Sequence, residues 1–137
     1  MRFYLQQEME NKKLQVLLVD DALSTGSILK SIIKECGCAD FVGQVQRGLA
    51  GVEMIQKFMP DLVIIDLYIP GTSGFDILRW IKETYAKIKV VIISDSLKPE
   101  YRLIAESLGA DYFLDKQTEL NKISEIIETI DLSFHNI

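Results

Sequence analysis

Four short apolar segments each run into polar, chemically usable side chains. Residues 16–19 lead into Asp20 and Asp21, 62–65 into Asp66, 90–93 into Ser94, and 112–114 into Asp115 and Lys116. Continuous apolar runs of this length, bounded by turn chemistry, suit parallel strands covered on both faces. A fifth segment, 41–45, is more polar and alternates, as an edge strand does when one face is less covered. Between these runs lie stretches with helical spacing. Ile28, Leu29, Ile32, Ile33 and Cys36 form one apolar face that stops at Gly37. Leu49, Val52, Ile55 and Phe58 give a second stripe ended by Pro60, and Phe75, Ile77, Leu78 and Ile81 a third that follows Gly74. Leu103, Ile104 and Leu108 mark a fourth, opened by Pro99 at a favoured first-turn position. The last is the clearest: Leu120, Ile123, Ile126, Ile127 and Ile130 recur at spacings of three and four, with Thr118 as N-cap and Glu119 in the first turn.

This alternation predicts an α/β fold, a doubly wound five-stranded parallel sheet of flavodoxin-like type with five helices and right-handed crossovers. Strand order 2-1-3-4-5 is favoured. It places the first and third strands side by side where the winding reverses, and ligands of such sheets bind outside the carboxyl ends of the strands at that point. Asp20, Asp21 and Asp66 should therefore meet in one crevice. The folded unit is expected over residues 14–131, with 1–13 as an N-terminal extension and 132–137 as a C-terminal tail.

Charge and composition narrow the function classes. The 137 residues suit one domain, and a net charge of −5 without a clustered Lys/Arg stripe speaks against direct nucleic-acid binding. No apolar stretch approaches about 18 residues, so no membrane span is expected, and residues 1–13 are too polar for a signal sequence. Cys36 and Cys38, spaced C-x-C, build neither a metal quartet nor a C-x-x-C redox pair, and reduced thiols in the cytoplasm are the expectation.

Three carboxylates drawn together repel one another unless a cation joins them. Mg²⁺ suits an open acidic crevice because it binds through one or two carboxylates, waters and phosphate oxygens. Lys116 would add a mobile positive charge there, and Ser94 a hydroxyl donor. A carboxylate nucleophile, a metal, a charge neutraliser and an oxygen-binding hydroxyl together make the parts needed for phosphoryl transfer.

The segments VLLVDD (16–21), DLYIPGTSG (66–74), VVIIS (90–94) and YFLDK (112–116) resemble the receiver domain of two-component response regulators, over residues 14 to 131. The resemblance implies that Asp66 is the phosphoacceptor, served by a histidine kinase or a histidine phosphotransfer protein. It implies Mg²⁺ held by Asp20, Asp21, Asp66 and the backbone carbonyl of Tyr68. Lys116 matches the lysine that pairs with phosphoryl oxygens, Ser94 the switch hydroxyl and Phe113 the switch aromatic. The switched surface would be the fourth helix, fifth strand and fifth helix, read by a downstream protein, an output domain outside this chain or a second copy in a homodimer. Such a chain is a signalling phosphoacceptor with its own phosphorylation and dephosphorylation chemistry, and not an enzyme acting on other substrates. Two positions depart from the pattern. Gln117 stands where a cis proline usually follows the lysine, so a trans loop is expected, and Asp95 stands where a small residue is common. Tyr68, Asp95 and Ser96 are the expected modulators, with Tyr68 shielding an acyl phosphate from water and Asp95 repelling the donor.

Duller or rival readings exist for several of these residues. An aromatic such as Phe113 in an apolar run is most often core, Tyr101 and Arg102 suit a solvated helix face, and His135 a solvated tail. The stretch 16–29 is similar to a phosphoribosyltransferase loop, but only 15 residues precede it. Ser24, Thr25, Gly26 and Ser27 at a helix N-terminus could hold a flavin phosphate, though two aspartates sit beside them. A haloacid-type phosphatase would want a second aspartate where Tyr68 stands. From another class, a receiver-like adaptor that binds partners without phosphorylation fits the departures at Asp95 and Gln117.

Overall fold

Along strand β1 (Leu14–Val19), residues Leu14, Val16 and Leu18 face one way and Leu17 and Val19 the other, and all five are buried, because both faces of the sheet are covered. The computed structural model describes residues 12–96 and 98–135. The remaining strands are β2 (Ala39–Val45), β3 (Leu62–Asp66), β4 (Lys89–Ser94) and β5 (Tyr112–Asp115), all parallel, in the order β2-β1-β3-β4-β5. The predicted α/β class and strand order hold. The helices are α1 (Leu23–Cys36), α2 (Gly48–Phe58), α3 (Gly74–Thr84), α4 (Pro99–Ser107) and α5 (Ile123–His135). Leu29 and Ile33 of α1 and the isoleucines of α5 pack on one face of the sheet. Ile55 of α2, Ile77, Leu78 and Ile81 of α3, and Ala105 of α4 pack on the other. No helix among the described residues is long and apolar enough to cross a membrane.

Three of the predicted stripes do not face the core throughout, and on α1 the exception is Ile28, which is exposed beside the buried Thr25, Gly26, Leu29 and Ile33. Three successive steps of three residues rotate a helical stripe by about half a turn. Leu49 and Phe58 therefore end up exposed on α2, while the buried seam is Gly48, Gly51 and Ile55. Two of its members are glycines, which a count of apolar side chains overlooks; a Cβ on Gly51 would meet Val19 at 3.0 Å. On α4 the seam is Tyr101, Ala105 and Leu108, and Leu103 and Ile104 face solvent.

The last helix also differs at both ends. Leu120–Lys122 form a single 3₁₀ turn, and Thr118 is not the N-cap: its hydroxyl donates to Asp115 Oδ2 at 2.8 Å. At the other end α5 runs past Ile130 through His135, into the expected tail, because Phe134 packs against the sheet's α1/α5 face. At the amino ends of the strands, Asp111 Oδ2 accepts from Lys82 Nζ at 2.7 Å and from the Val90 amide at 2.8 Å. That brace ties α3 to the starts of β4 and β5.

Candidate functional site

The carboxyl ends of β1, β3 and β5 bring Asp20, Asp21, Asp66 and Lys116 together. One carboxylate oxygen from each of the three aspartates lies within 4.8 Å of the others. Lys116 Nζ donates to Asp66 Oδ2 at 2.8 Å and stands 2.9 Å from Asp20 Oδ2. The Asp20 contact is an ion pair with poor hydrogen-bond angles, so this fully buried oxygen still lacks a hydrogen-bond donor. Asp20 Oδ1 accepts from the Ala22 amide at 2.8 Å, and Asp66 Oδ1 from the Tyr68 amide at 3.1 Å. Asp21 is exposed at the rim.

Local sequence explains why Asp66 is held so closely. The turn after it doubles back as a short hairpin, with Tyr68–Ile69 paired to Thr72–Ser73 across Pro70 and Gly71. Proline sets the first corner position, and Gly71 supplies the positive φ of 90° required at the second. Ser73 then caps α3 by accepting from the Phe75 amide at 3.1 Å. Gly74 sits against the backbone: a Cβ there would lie 2.6 Å from the Asp66 carbonyl oxygen and 2.9 Å from Leu67 Cα.

The electrostatics favour a cation. Burial pushes the Asp66 carboxyl above the ordinary carboxylate range, and the bonds from Lys116 and the Tyr68 amide pull it down without cancelling that rise. Burial alone would depress Lys116, but its hydrogen bond to Asp66 and the nearby Asp20 charge outweigh this and hold it above the usual lysine value. The lysine thus keeps its proton, while the desolvated carboxylate gains the basicity of a nucleophile. Among the described residues one ammonium stands against three carboxylates, which leaves negative charge in excess, and the buried Asp20 Oδ2 has no hydrogen-bond donor. The donor set is all hard oxygen, which fits Mg²⁺.

Ser94 is buried at the end of β4 but turned aside. Its Oγ accepts from the Ser96 amide at 3.0 Å and lies 3.2 Å from the Ser96 carbonyl; among the described hydrogen bonds none joins it to Asp66. Phe113 is buried, with the guanidinium of Arg102 5.0 Å above its ring; Arg102 itself is exposed, as expected of a solvated helix face. The peptide between Lys116 and Gln117 is trans, as the absence of proline there led us to expect. The Gln117 amide donates to Asp115 Oδ1 at 2.9 Å, and Glu119 Oε1 accepts from the Asp115 amide at 2.9 Å, which fixes the lysine-bearing loop.

Three contributors escaped the sequence. Gln44 on β2 donates from Nε2 to the carbonyls of Asp20 at 2.8 Å and Ala22 at 2.9 Å, shaping the acidic turn. A Cβ on Gly26 would stand 1.9 Å from Gln44 Oε1, so this glycine in the Ser-Thr-Gly-Ser run makes room for that brace. Tyr101, expected on a solvated face, accepts a 2.8 Å hydrogen bond from the exposed Tyr68 hydroxyl, and both line an open cleft of about 570 Å³ with Asp21 and Phe75. A polar residue on an edge strand was the sole hint of Gln44.

Comparisons with known proteins agree with the geometry. The family model described as response regulator receiver domain matches residues 16–128. A nitrate/nitrite response regulator protein homolog from Haemophilus influenzae is 32% identical over 120 residues, 86% of this chain and 57% of that protein. A protein-glutamate methylesterase/protein-glutamine glutaminase from Pyrococcus horikoshii is 36% identical over 83 residues, 61% of this chain and 22% of that protein. The response regulator domain of Thermotoga maritima CheB superposes with a TM-score of 0.75 at 25% identity, covering 92% of this chain and 99% of that one. The signal receiver domain of NarL from Mycobacterium tuberculosis gives 0.79 at 24% identity, covering 88% and 98%, a likeness of fold. The chain spans from 22% to 57% of the length of these two curated relatives.

Proposed function

The chain belongs to the response regulator receiver domain family, and from that premise we propose that Asp66 accepts a phosphoryl group from a phosphohistidine of a kinase or phosphotransfer protein. The observation that carries this is the buried Asp66 carboxylate, bonded to Lys116 within a three-carboxylate cluster that still has an unsatisfied oxygen on Asp20. In the reaction, a carboxylate oxygen of Asp66 forms a bond to phosphorus as the bond from phosphorus to the donor imidazole nitrogen breaks, and the imidazole leaves. Lys116 stays protonated throughout and pairs with oxygen before and after transfer. The Tyr68 amide fixes the carboxylate's rotation, so little orientational freedom is lost at the moment of attack. Asp20, Asp21, Asp66 and the Tyr68 carbonyl would hold Mg²⁺, which supplies neutralisation of the carboxylates and of the phosphoryl oxygens.

The switch follows from where Ser94 now points. Its hydroxyl leaves Ser96 and donates to the new phosphoryl oxygens, and Phe113 repacks beneath Arg102. The surface made by α4, β5 and α5 then changes, and the exposed Leu103 and Ile104 give a protein partner apolar contact there. Partner and output are a donor protein on one side and a downstream protein or output domain on the other.

Beryllofluoride, a phosphoryl mimic, tests the assignment. With Mg²⁺ it should bind the protein stoichiometrically by fluorine NMR, and Asp66→Asn should lose that binding. Equal behaviour of the two would leave a receiver fold used only as a phosphorylation-independent adaptor.

A further inference from the structure

The two positions at which the chain departs from the receiver pattern touch each other. Gln117 Nε2 donates to Asp95 Oδ1 at 2.6 Å, although 22 positions separate them in the sequence. Each follows directly on a reactive residue: Asp95 on Ser94, and Gln117 on Lys116. The main chain is joined at the same place, since the Lys116 amide donates to the Ser94 carbonyl at 2.9 Å. Ser94 itself is held by the Ser96 backbone, away from Asp66.

We propose that Asp95 and Gln117 form a latch between the ends of β4 and β5 that holds Ser94 in its turned-aside position and so opposes the phosphorylated conformation. They are positioning residues, and the inference rests on the phosphoacceptor assignment above. Turning Ser94 toward Asp66 gives up its contacts with the Ser96 backbone, and the 94–96 loop that must then re-form includes residue 95, which a short, charge-assisted hydrogen bond to Gln117 holds in its resting place. A bond made only in the resting state lowers the fraction of protein competent to take the phosphoryl group, and the apparent affinity falls with that fraction. The same contact turns the Asp95 carboxylate toward an amide donor. Asp95 therefore acts by fastening a loop, where the sequence suggested simple repulsion of the donor.

The test is beryllofluoride affinity at saturating Mg²⁺ in wild type, Asp95→Ala, Gln117→Ala, the double variant and Asp95→Asn. Breaking one exposed, charge-assisted hydrogen bond should tighten binding roughly two- to tenfold in either alanine variant. The double variant should gain no more than the stronger single one. Asp95→Asn keeps the Oδ1 acceptor but removes the charge, which weakens the bond without abolishing it, and should gain clearly less than Asp95→Ala. Charge repulsion predicts the opposite: Asp95→Asn would match Asp95→Ala, and Gln117→Ala would show no gain. Either of those results overturns the latch. A ligand-free readout separates this proposal from the phosphoacceptor assignment: hydrogen exchange at the Ser96 amide should quicken in both alanine variants, and less in Asp95→Asn. Wild-type protein that fails to bind beryllofluoride would remove the phosphoacceptor assignment and the switching role with it. Unchanged Ser96 exchange in the alanine variants would remove the latch even if beryllofluoride binds.

Discussion

Replacing Lys116 with methionine keeps the length of the side chain and removes the single ammonium that bonds Asp66 and faces Asp20 at 2.8 and 2.9 Å. Both carboxylates are almost entirely buried. Taking away one member of a buried ionic cluster typically costs about 3–5 kcal/mol, because the remaining charge stays desolvated. Protonation sets a ceiling on that cost. Returning one carboxylate to its acid form at neutral pH costs about 4 kcal/mol from its ordinary value, and the protein adopts whichever route is cheaper. Asp66, whose carboxyl burial already pushes upward, is a ready acceptor of that proton. A carboxyl raised in the folded state adds stability at low pH that is lost as pH rises through its folded value. Acidification must therefore narrow the gap between Lys116→Met and wild type, by up to about 1.4 kcal/mol per pH unit. Urea unfolding in the presence of a chelator, followed by circular dichroism near pH 7 and near pH 5.5, measures this. We expect a loss of about 3–4 kcal/mol near neutrality and a clearly smaller one in acid. A loss below about 1 kcal/mol near neutrality, or a gap that fails to shrink, would refute the account of Lys116 as the counter-charge of a buried cluster.

Three further outcomes are expected. Gly74→Ala places a methyl against the Asp66 carbonyl and Leu67 Cα, neither of which can rotate away, and should cost about 1–3 kcal/mol in chemical unfolding; a neutral result would mean that the α3 entry shifts freely. Gln44→Ala removes two donors from the Asp20–Ala22 turn, which should cost about 1–2 kcal/mol and weaken Mg²⁺ binding measured by calorimetry. In Tyr68→Ala the acyl phosphate should hydrolyse faster than in wild type when followed by phosphate release, because the tyrosine pair beside the acidic cluster no longer screens it from water.

Strand identity, order and the acidic cluster were legible because a doubly covered parallel strand leaves an uninterrupted apolar run that ends where the chain emerges at the reactive rim. Helix faces were less so. On α2 the seam depends on Gly48 and Gly51, whose role is to let α2 approach closely, and a hydropathy pattern has no signal for an absent side chain. The exposed Leu103 and Ile104 misled for the converse reason, since apolar residues on a helix need not face its own core. At the site, Gln44, Tyr101 and the contact between Asp95 and Gln117 depend on loops that meet only in three dimensions. Departures from a family pattern at residues 95 and 117 could be noticed one at a time in the sequence. Their pairing could not.

The Lys82–Asp111–Val90 brace lies at the opposite end of the strands from the acidic cluster. The strands therefore carry a polar tie at each pole, an ionic clasp at one end and the lysine-bridged acidic cluster at the other. At the reactive pole the crowding of like charges is offset locally by Lys116, while the clasp holds the far ends of the strands with bonds of its own. Changes confined to the loops at one pole leave the bonds of the distal clasp in place.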